Sequence, residues 1–247
     1  MVDSLGFRLK LGIIAPSTNT SVQPEMDAMR PYGVTNHFGR LYIPDDPIKN
    51  DDDFNKLMDN IRATMEDAAR TVMTCQPHRL VLGMSSETFW DGLDGSKRLI
   101  ARMEEVAGGA PVTTGADAVR AALRNYGNIR RIAVITPYMP VGDGQVRRFF
   151  EDCGFEIVTL KGLKCGSPVQ IAHVTEKQLR KCHHRGQRFH GGSDRAGRDE
   201  PCNGPSRRHR RILDRQTGDS DQYRDLLARA AAEWCHRSRT WFWISSR

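Results

Sequence analysis

The chain has 247 residues, 38% of them apolar and 27% charged, with 22 glycines, a balance that supports one large or two small folded domains and excludes a disordered or fibrous chain. No apolar run reaches the roughly 20 residues that span a bilayer, and the first residues show neither a basic leader nor a signal-type core, so the sequence reads as a soluble cytoplasmic protein with no membrane partner. The net charge of +7 is unevenly placed: residues 1–180 carry 22 basic and 22 acidic side chains, residues 181–247 carry 15 and 8.

Lys10 to Ala15 is a short apolar run ending in a Pro-Ser-Thr-Asn-Thr cluster, the pattern of a buried parallel strand that feeds a loop. Helical spacing then recurs at Phe54, Leu57, Met58, Ile61, Met65 and Ala68, and predicts one long helix ending near Cys75. Arg79 to Met84 is strand-like again, followed by SSETFWDG and a helix through Leu99, Ile100 and Met103. Pro111 to Thr113 predicts a strand and Ala116 to Tyr126 a helix. Arg131 to Thr136, Gln145 to Cys153 and Phe155 to Leu160 predict strand, helix and strand, with Gly154 closing the helix. Alternation of this kind implies right-handed βαβ units and a parallel sheet, and so an α/β fold. Its binding site is expected outside the carboxyl ends of the strands.

Three loops lie there: Pro16–Thr20, Ser85–Gly92 and Thr136–Gly144. None is a phosphate cradle; Gly142-Asp-Gly144 begins like GxGxxG, but Arg147 takes the third glycine's place. Ser17, Thr18, Asn19 and Thr20 can cap the next helix, a task for one side chain, or offer spare donors to an anion. Ser85 and Ser86 can converge on a carboxylate or close a local turn. Tyr138 stands in the matching loop of the next repeat, as a crevice or a packing residue. Glu87 reads as a solvated loop carboxylate in preference to a base, and Cys75 as a core thiol on the far side of the sheet. Six cysteines (Cys75, Cys153, Cys165, Cys182, Cys202 and Cys235) without paired zinc spacing read as reduced thiols, and His37 and His78 stand alone, so no metal site is expected.

At these loops the sequence resembles the aspartate/glutamate racemase superfamily, in the branch of maleate cis-trans isomerases and arylmalonate decarboxylases. GIIAPSTNT, VLGMSSETFWDG and RIAVITPY carry the likeness, over about residues 8–180. The resemblance implies two flavodoxin-like α/β domains facing across a cleft, residues 1–116 and an incomplete 117–180, and no cofactor. It implies chemistry next to the carboxylate of a small (di)carboxylic acid, the expected partner. A homo-oligomer is compatible with it. Carried over by position, the catalytic residues are Ser85, Ser86 and Tyr138, holding the carboxylate and stabilising an oxyanion, with Pro16, Ser17, Asn19 and Thr136 as substrate contacts. The sequence departs from the family where a cysteine ends the first-half strand, since Met84-Ser85-Ser86 stands there. A hydroxyl is a poorer base or nucleophile than a thiol, which disfavours two-cysteine racemisation. The decarboxylase's second-half cysteine should fall beyond residue 180.

Beyond Leu179 the pattern stops. Residues 181–216 show no strand or helix periodicity, and fourteen of the fifteen basic residues after 180 are arginine. We read a shift of reading frame close to Lys181. One base later, the single tryptophan codon turns Trp241 and Trp243 into glycines around Phe242, similar to a glycine-aromatic-glycine of the family's C-terminal region. Residues 181–247 are accordingly expected to be irregular and disordered, and the activity of the chain is in doubt. A rival reading makes this tail a nucleic-acid-binding arm, with RRHRR at 207–211 and Trp234, Trp241 and Trp243 for stacking, and is the less favoured. A zinc knuckle from Cys182, His183, His184 and Cys202 lacks paired spacing. The expected function is a cofactor-independent isomerase or decarboxylase. The alternatives are the nucleic-acid binder, a hydantoin- or amino-acid-racemase-like enzyme, and a non-catalytic carboxylate-binding relative.

Overall fold

A computed structural model describes residues 3–125, 129–175, 177–182 and 243–246. The first half is a four-stranded, wholly parallel sheet in the order β2-β1-β3-β4, built from β1 (Leu9–Pro16), β2 (Val34–Leu41), β3 (Arg79–Leu82) and β4 (Val112–Thr114). Helices α1 (Val22–Met29), α2 (Asp51–Met73), α3 (Gly92–Val106) and α4 (Gly115–Asn125) link and follow the strands. The second half has β5 (Arg131–Thr136) parallel to β6 (Glu156–Gly162), with α5 (Pro140–Asp152) between them and a short α6 (Pro168–Ala172) beyond.

The apolar stripe predicted from residue 54 onward is the buried face of α2, which packs on β1 and β2. Asn50 caps this helix by accepting from the Asp53 amide at 2.9 Å, and three aspartates in its first turn complement the helix dipole. Strand β3 is two residues shorter than expected, although the Gly83 amide still donates to Ile14 O at 2.7 Å. Helix α5 starts five residues earlier than expected, because Pro140 has the backbone preset for a first helical position and needs no partner for a missing N–H. Gly142 and Gly144 are therefore helical. A side chain at Gly142 would put its Cβ 2.9 Å from both the Phe54 ring and Tyr138 Cβ, so this glycine serves close packing.

Four elements were not anticipated: α1, β2, α6 and a strand β7 (Trp243–Ser246). Strand β7 pairs antiparallel with β5, giving the second sheet the order β6-β5-β7. This corrects the expectation of an irregular tail over these four residues, whose Trp and Ile suit a strand and which meet the edge of β5 that β6 leaves open. The remaining tail readings, at RRHRR 207–211, Trp234, Trp241, His183, His184, Cys202 and Cys235, lie outside the described residues. Lys181 and Cys182 end the preceding described segment, in helical conformation.

The two halves share one apolar core. At their junction Phe89, from a single 3-10 turn (Glu87–Phe89), meets Phe149 edge-on at 5.0 Å and Phe150 at 5.8 Å. Residues 45–51 clasp the second half. The Ile48 amide donates to Gly166 O at 2.8 Å, Asp45 Oδ1 accepts from the Val169 amide at 2.9 Å, and Asp51 Oδ1 from the Val141 amide at 3.0 Å. The boundary expected between residues 116 and 117 falls in the first turn of α4. No helix among the described residues is long and apolar enough to cross a membrane.

Candidate active site

Strands β1, β3 and β5 bring their carboxyl ends to one crevice between the halves. It is a narrow recess open to solvent, with a cavity volume of about 30 Å³, and its wall is largely apolar: Ile43, Phe54, Leu57, Ile61, Met84, Pro168 and Ile171. The polar groups lining it are Thr18, Asn19, Ser86 and Tyr138, beside Pro16.

Tyr138 sits on the turn between β5 and α5, 2% exposed, its ring packed 5.5 Å from Phe54. Its hydroxyl shares a short hydrogen bond with Ser85 Oγ, itself 2% exposed, from the turn after β3. The phenol's packing and crevice roles, posed as alternatives in the sequence, are both filled. Burial pushes the Tyr138 hydroxyl well above its ordinary pKa, with the Ser85 bond acting the other way, so it is a neutral donor at physiological pH. Two hydroxyls hold two protons and their mutual bond uses one; the other is left for a ligand. Ser86 lies one residue on, at the mouth of the 3-10 turn. Its hydroxyl caps nothing and lines the crevice.

The first loop divides its work. Asn19 Oδ1 accepts from the Val22 and Ser21 amides at 2.8 and 3.0 Å and so caps α1. Its amide nitrogen makes no hydrogen bond to the described residues, and the residue lines the crevice, so one side chain both caps the helix and faces the crevice. Ser17 is different. Its Oγ donates to Ile43 O at 3.2 Å and accepts from the Ile43 amide at 2.9 Å, so its hydroxyl is spent on joining the loop to the residue after β2, away from the crevice wall. Thr136 is likewise occupied: 1% exposed, it donates to Asp143 Oδ1 and does not line the crevice. Pro16 O accepts from the Asn19 amide at 3.0 Å and from Arg40 Nη1 at 3.1 Å, and Arg40 also donates to Asn19 O at 2.8 Å. Arg40 thus fixes this loop from β2, an element the sequence pattern did not disclose.

Glu87 is not a solvated loop carboxylate. Its side chain is 13% exposed and accepts from Arg62 Nε at 3.0 and 3.1 Å, while the guanidinium lies 5.0 Å over the Trp90 ring. Burial raises its pKa above the ordinary carboxyl value, and Arg62 opposes that shift. Cys75 sits past the end of α2, at the amino end of β3, with Ser85 at the other; it is half-buried and its thiol donates to Val72 O at 3.1 Å. No cysteine or histidine among the described residues lines the crevice, and Met84, 2% exposed, holds the position after β3. Among the described residues no three His, Cys, Asp or Glu side chains converge on a metal-sized gap. Thr18, one of the loop's spare donors in the sequence, lines the crevice; the apolar wall went unrecognised, because Phe54, Leu57 and Ile61 share the core stripe of α2 and nothing in a periodic pattern separates a crevice wall from a core.

The arylmalonate decarboxylase family model matches residues 11–196, three quarters of the chain and past the boundary drawn at Lys181. The chain belongs to this family. Among solved structures it is similar to the Nocardia farcinica maleate cis-trans isomerase, at 19% identity and a TM-score of 0.63 over 72% of each chain. The Pseudomonas putida maleate isomerase with maleate is 18% identical, with a TM-score of 0.62 over 71% of this chain and 72% of that one. An arylmalonate decarboxylase crystal structure gives 20% and 0.53 over 75% and 74%. No curated protein matches the chain. Family membership and the shared fold agree with the racemase-superfamily resemblance, and none of the comparisons supports the nucleic-acid reading.

Proposed function

We propose that this arylmalonate decarboxylase family member is a cofactor-independent enzyme acting next to the carboxylate of a small carboxylic acid, with decarboxylation of a substituted malonate favoured over isomerisation. One observation carries the reading: Tyr138, its hydroxyl bonded to Ser85 Oγ, lines a largely apolar crevice together with Ser86 and Asn19, whose hydroxyl and amide nitrogen bond no other described residue.

In this arrangement one carboxylate is held by the hydroxyl and amide donors. The second, together with the apolar substituent, lies against Phe54, Leu57, Ile61 and Met84. A carboxylate stripped of water by such a wall is raised in energy relative to neutral carbon dioxide. The carbon–carbon bond breaks, carbon dioxide leaves, and the electron pair passes into the held carboxylate as an enediolate. Charge therefore grows where the donors already point, and each preorganised donor supplies about 3–4 kcal/mol. The carbon then takes a proton from solvent water, releasing hydroxide, since none of the lining groups named above is a thiol or imidazole to deliver it. Isomerisation through a first-half thiol is less well supported, because the Met84 thioether has no proton to lose. A small carboxylic acid as partner and the cytoplasm as location accompany this proposal.

The test is to incubate the full chain with phenylmalonate and with maleate, following phenylacetate, fumarate and carbon dioxide, and to titrate both ligands calorimetrically. Phenylacetate formation, or phenylmalonate binding weakened by Ser86→Ala, supports the reading. Fumarate formation moves the assignment to isomerisation, and absence of binding by either acid refutes the site.

A further inference from the structure

Beside the crevice lies an ion pair that the proposed chemistry does not use. Glu87 directly follows Ser86 and opens the 3-10 turn, and Thr88 ties the same turn back by donating from Oγ1 to Ser85 O at 2.7 Å. Arg62 reaches it from α2, one residue past Ile61 of the crevice wall. Three contacts fix the guanidinium: both Glu87 oxygens on Nε, Asp59 Oδ1 on Nη1 at 3.2 Å, and the Trp90 face. Trp90 closes the turn and stacks on Phe54 at 6.5 Å, so the chain of contacts returns to the ring against Tyr138.

A surface ion pair contributes little to stability. This one joins a half-buried arginine to a carboxylate that is 13% exposed, and burial makes its charged form costly unless the partner is kept in place. Resting on the proposed carboxylate site, we infer that Arg62 and Glu87 are positioning residues: their pairing over Trp90 sets the turn that aims the Ser86 hydroxyl into the crevice, and makes carboxylate affinity depend on Glu87 being ionised. The charged groups that bear on Glu87 are Arg62 from α2, itself paired with Asp59, Asp91 from its own loop, and Arg102 from α3. Asp91 and burial favour its protonation; Arg62 and Arg102 oppose it.

The probe is α,α-difluorophenylacetate, a carboxylate that stays ionised in mild acid, titrated into the full chain across the acidic range. Wild type should lose affinity as Glu87 takes up its proton. Glu87→Gln, which keeps the turn's shape, should bind about tenfold more weakly at neutral pH, as for loss of one charge-assisted hydrogen bond, and should show no acidic loss. Arg62→Ala should match it, with Arg62→Lys recovering part of the affinity. An acidic loss retained in Glu87→Gln, or unchanged affinity in all three variants, overturns the inference. Ser86→Ala separates the two levels of the argument. If it weakens binding while the Arg62 and Glu87 variants do not, the positioning role fails alone; if Ser86→Ala also binds as wild type, the carboxylate site itself fails.

Discussion

Removal of the Tyr138 hydroxyl tests the site most directly, because its consequences for folding and for binding can be worked out separately. In the folded chain the phenol oxygen and Ser85 Oγ partner each other where both residues are 2% exposed. Tyr138→Phe leaves the serine hydroxyl buried without that partner, at about 1–3 kcal/mol, and Ser85→Ala strands the phenol at a similar cost. The double variant strands neither, so it should cost less than the two singles combined, with a coupling of about 1–2 kcal/mol. For binding, the pair has one proton to offer, and a hydrogen bond to a charged acceptor contributes about 1.5–3 kcal/mol. Tyr138 lines the crevice and Ser85 does not, so the phenol is the member that presents this proton, and Tyr138→Phe should raise the Kd for phenylmalonate by about 10- to 150-fold. Urea denaturation of the four proteins gives the coupling and calorimetric titration gives the Kd. Additive stabilities, or an affinity for phenylmalonate unchanged in Tyr138→Phe, would refute the paired-donor arrangement.

Asp143 provides a pH test. Burial raises its carboxyl above the ordinary 3.8, against the Thr136 hydroxyl and Lys164, which lower it. A carboxyl raised on folding stabilises the folded chain when protonated, an advantage complete below the unfolded value and lost as pH climbs through the folded one. Asp143→Asn, which keeps an acceptor for Thr136, should thus gain on wild type in urea midpoint as pH rises from about 4; a constant difference contradicts the assignment. Gly142→Ala should force Phe54 and Tyr138 apart, costing about 1–3 kcal/mol and weakening ligand binding, measurable by denaturation and calorimetry on one sample. Phe54→Ala, at a position 1% exposed, should cost about 3–5 kcal/mol, visible as a lower midpoint. A loss below 1 kcal/mol would mean that the crevice wall is not a packed part of the core.

Strands β1, β3 and β5 and helix α2 were legible because each is buried on its predicted face, and a buried element must carry its periodicity in the sequence. Strand β2 was not. It is an edge strand with three successive half-buried positions at Asn36, His37 and Phe38, and it reads as neither alternating nor apolar. Helix α1 buries only Val22 and contains Pro24. Of the expected site residues, Ser86, Tyr138, Asn19 and Pro16 line one crevice, and Ser85 reaches it through its bond to the Tyr138 hydroxyl. Ser17 and Thr136 have the same chemistry and stand at the same strand ends, yet their hydroxyls bond Ile43 and Asp143. Sequence position fixes which turn a hydroxyl occupies but not which rotamer it takes, and the rotamer decides whether the group faces a ligand or a backbone carbonyl. The Arg62–Glu87 contact was hidden for a related reason, since its partners lie 25 positions apart on elements whose mutual orientation no local pattern reveals.

The clasp formed by residues 45–51 bears on any attempt to recombine this chain with a relative. Asp45 and Asp51 belong to the first half by sequence, yet the amides they accept from belong to α6 and α5. A chimaera that swaps everything after α4 inherits two carboxylates shaped for a foreign partner, and the segment from 44 to 54 must travel with the second half if the graft is to close. Laboratory shuffling of these proteins should accordingly find its tolerated crossovers away from the midpoint of the chain, in unequal exchanges that carry this short ribbon along.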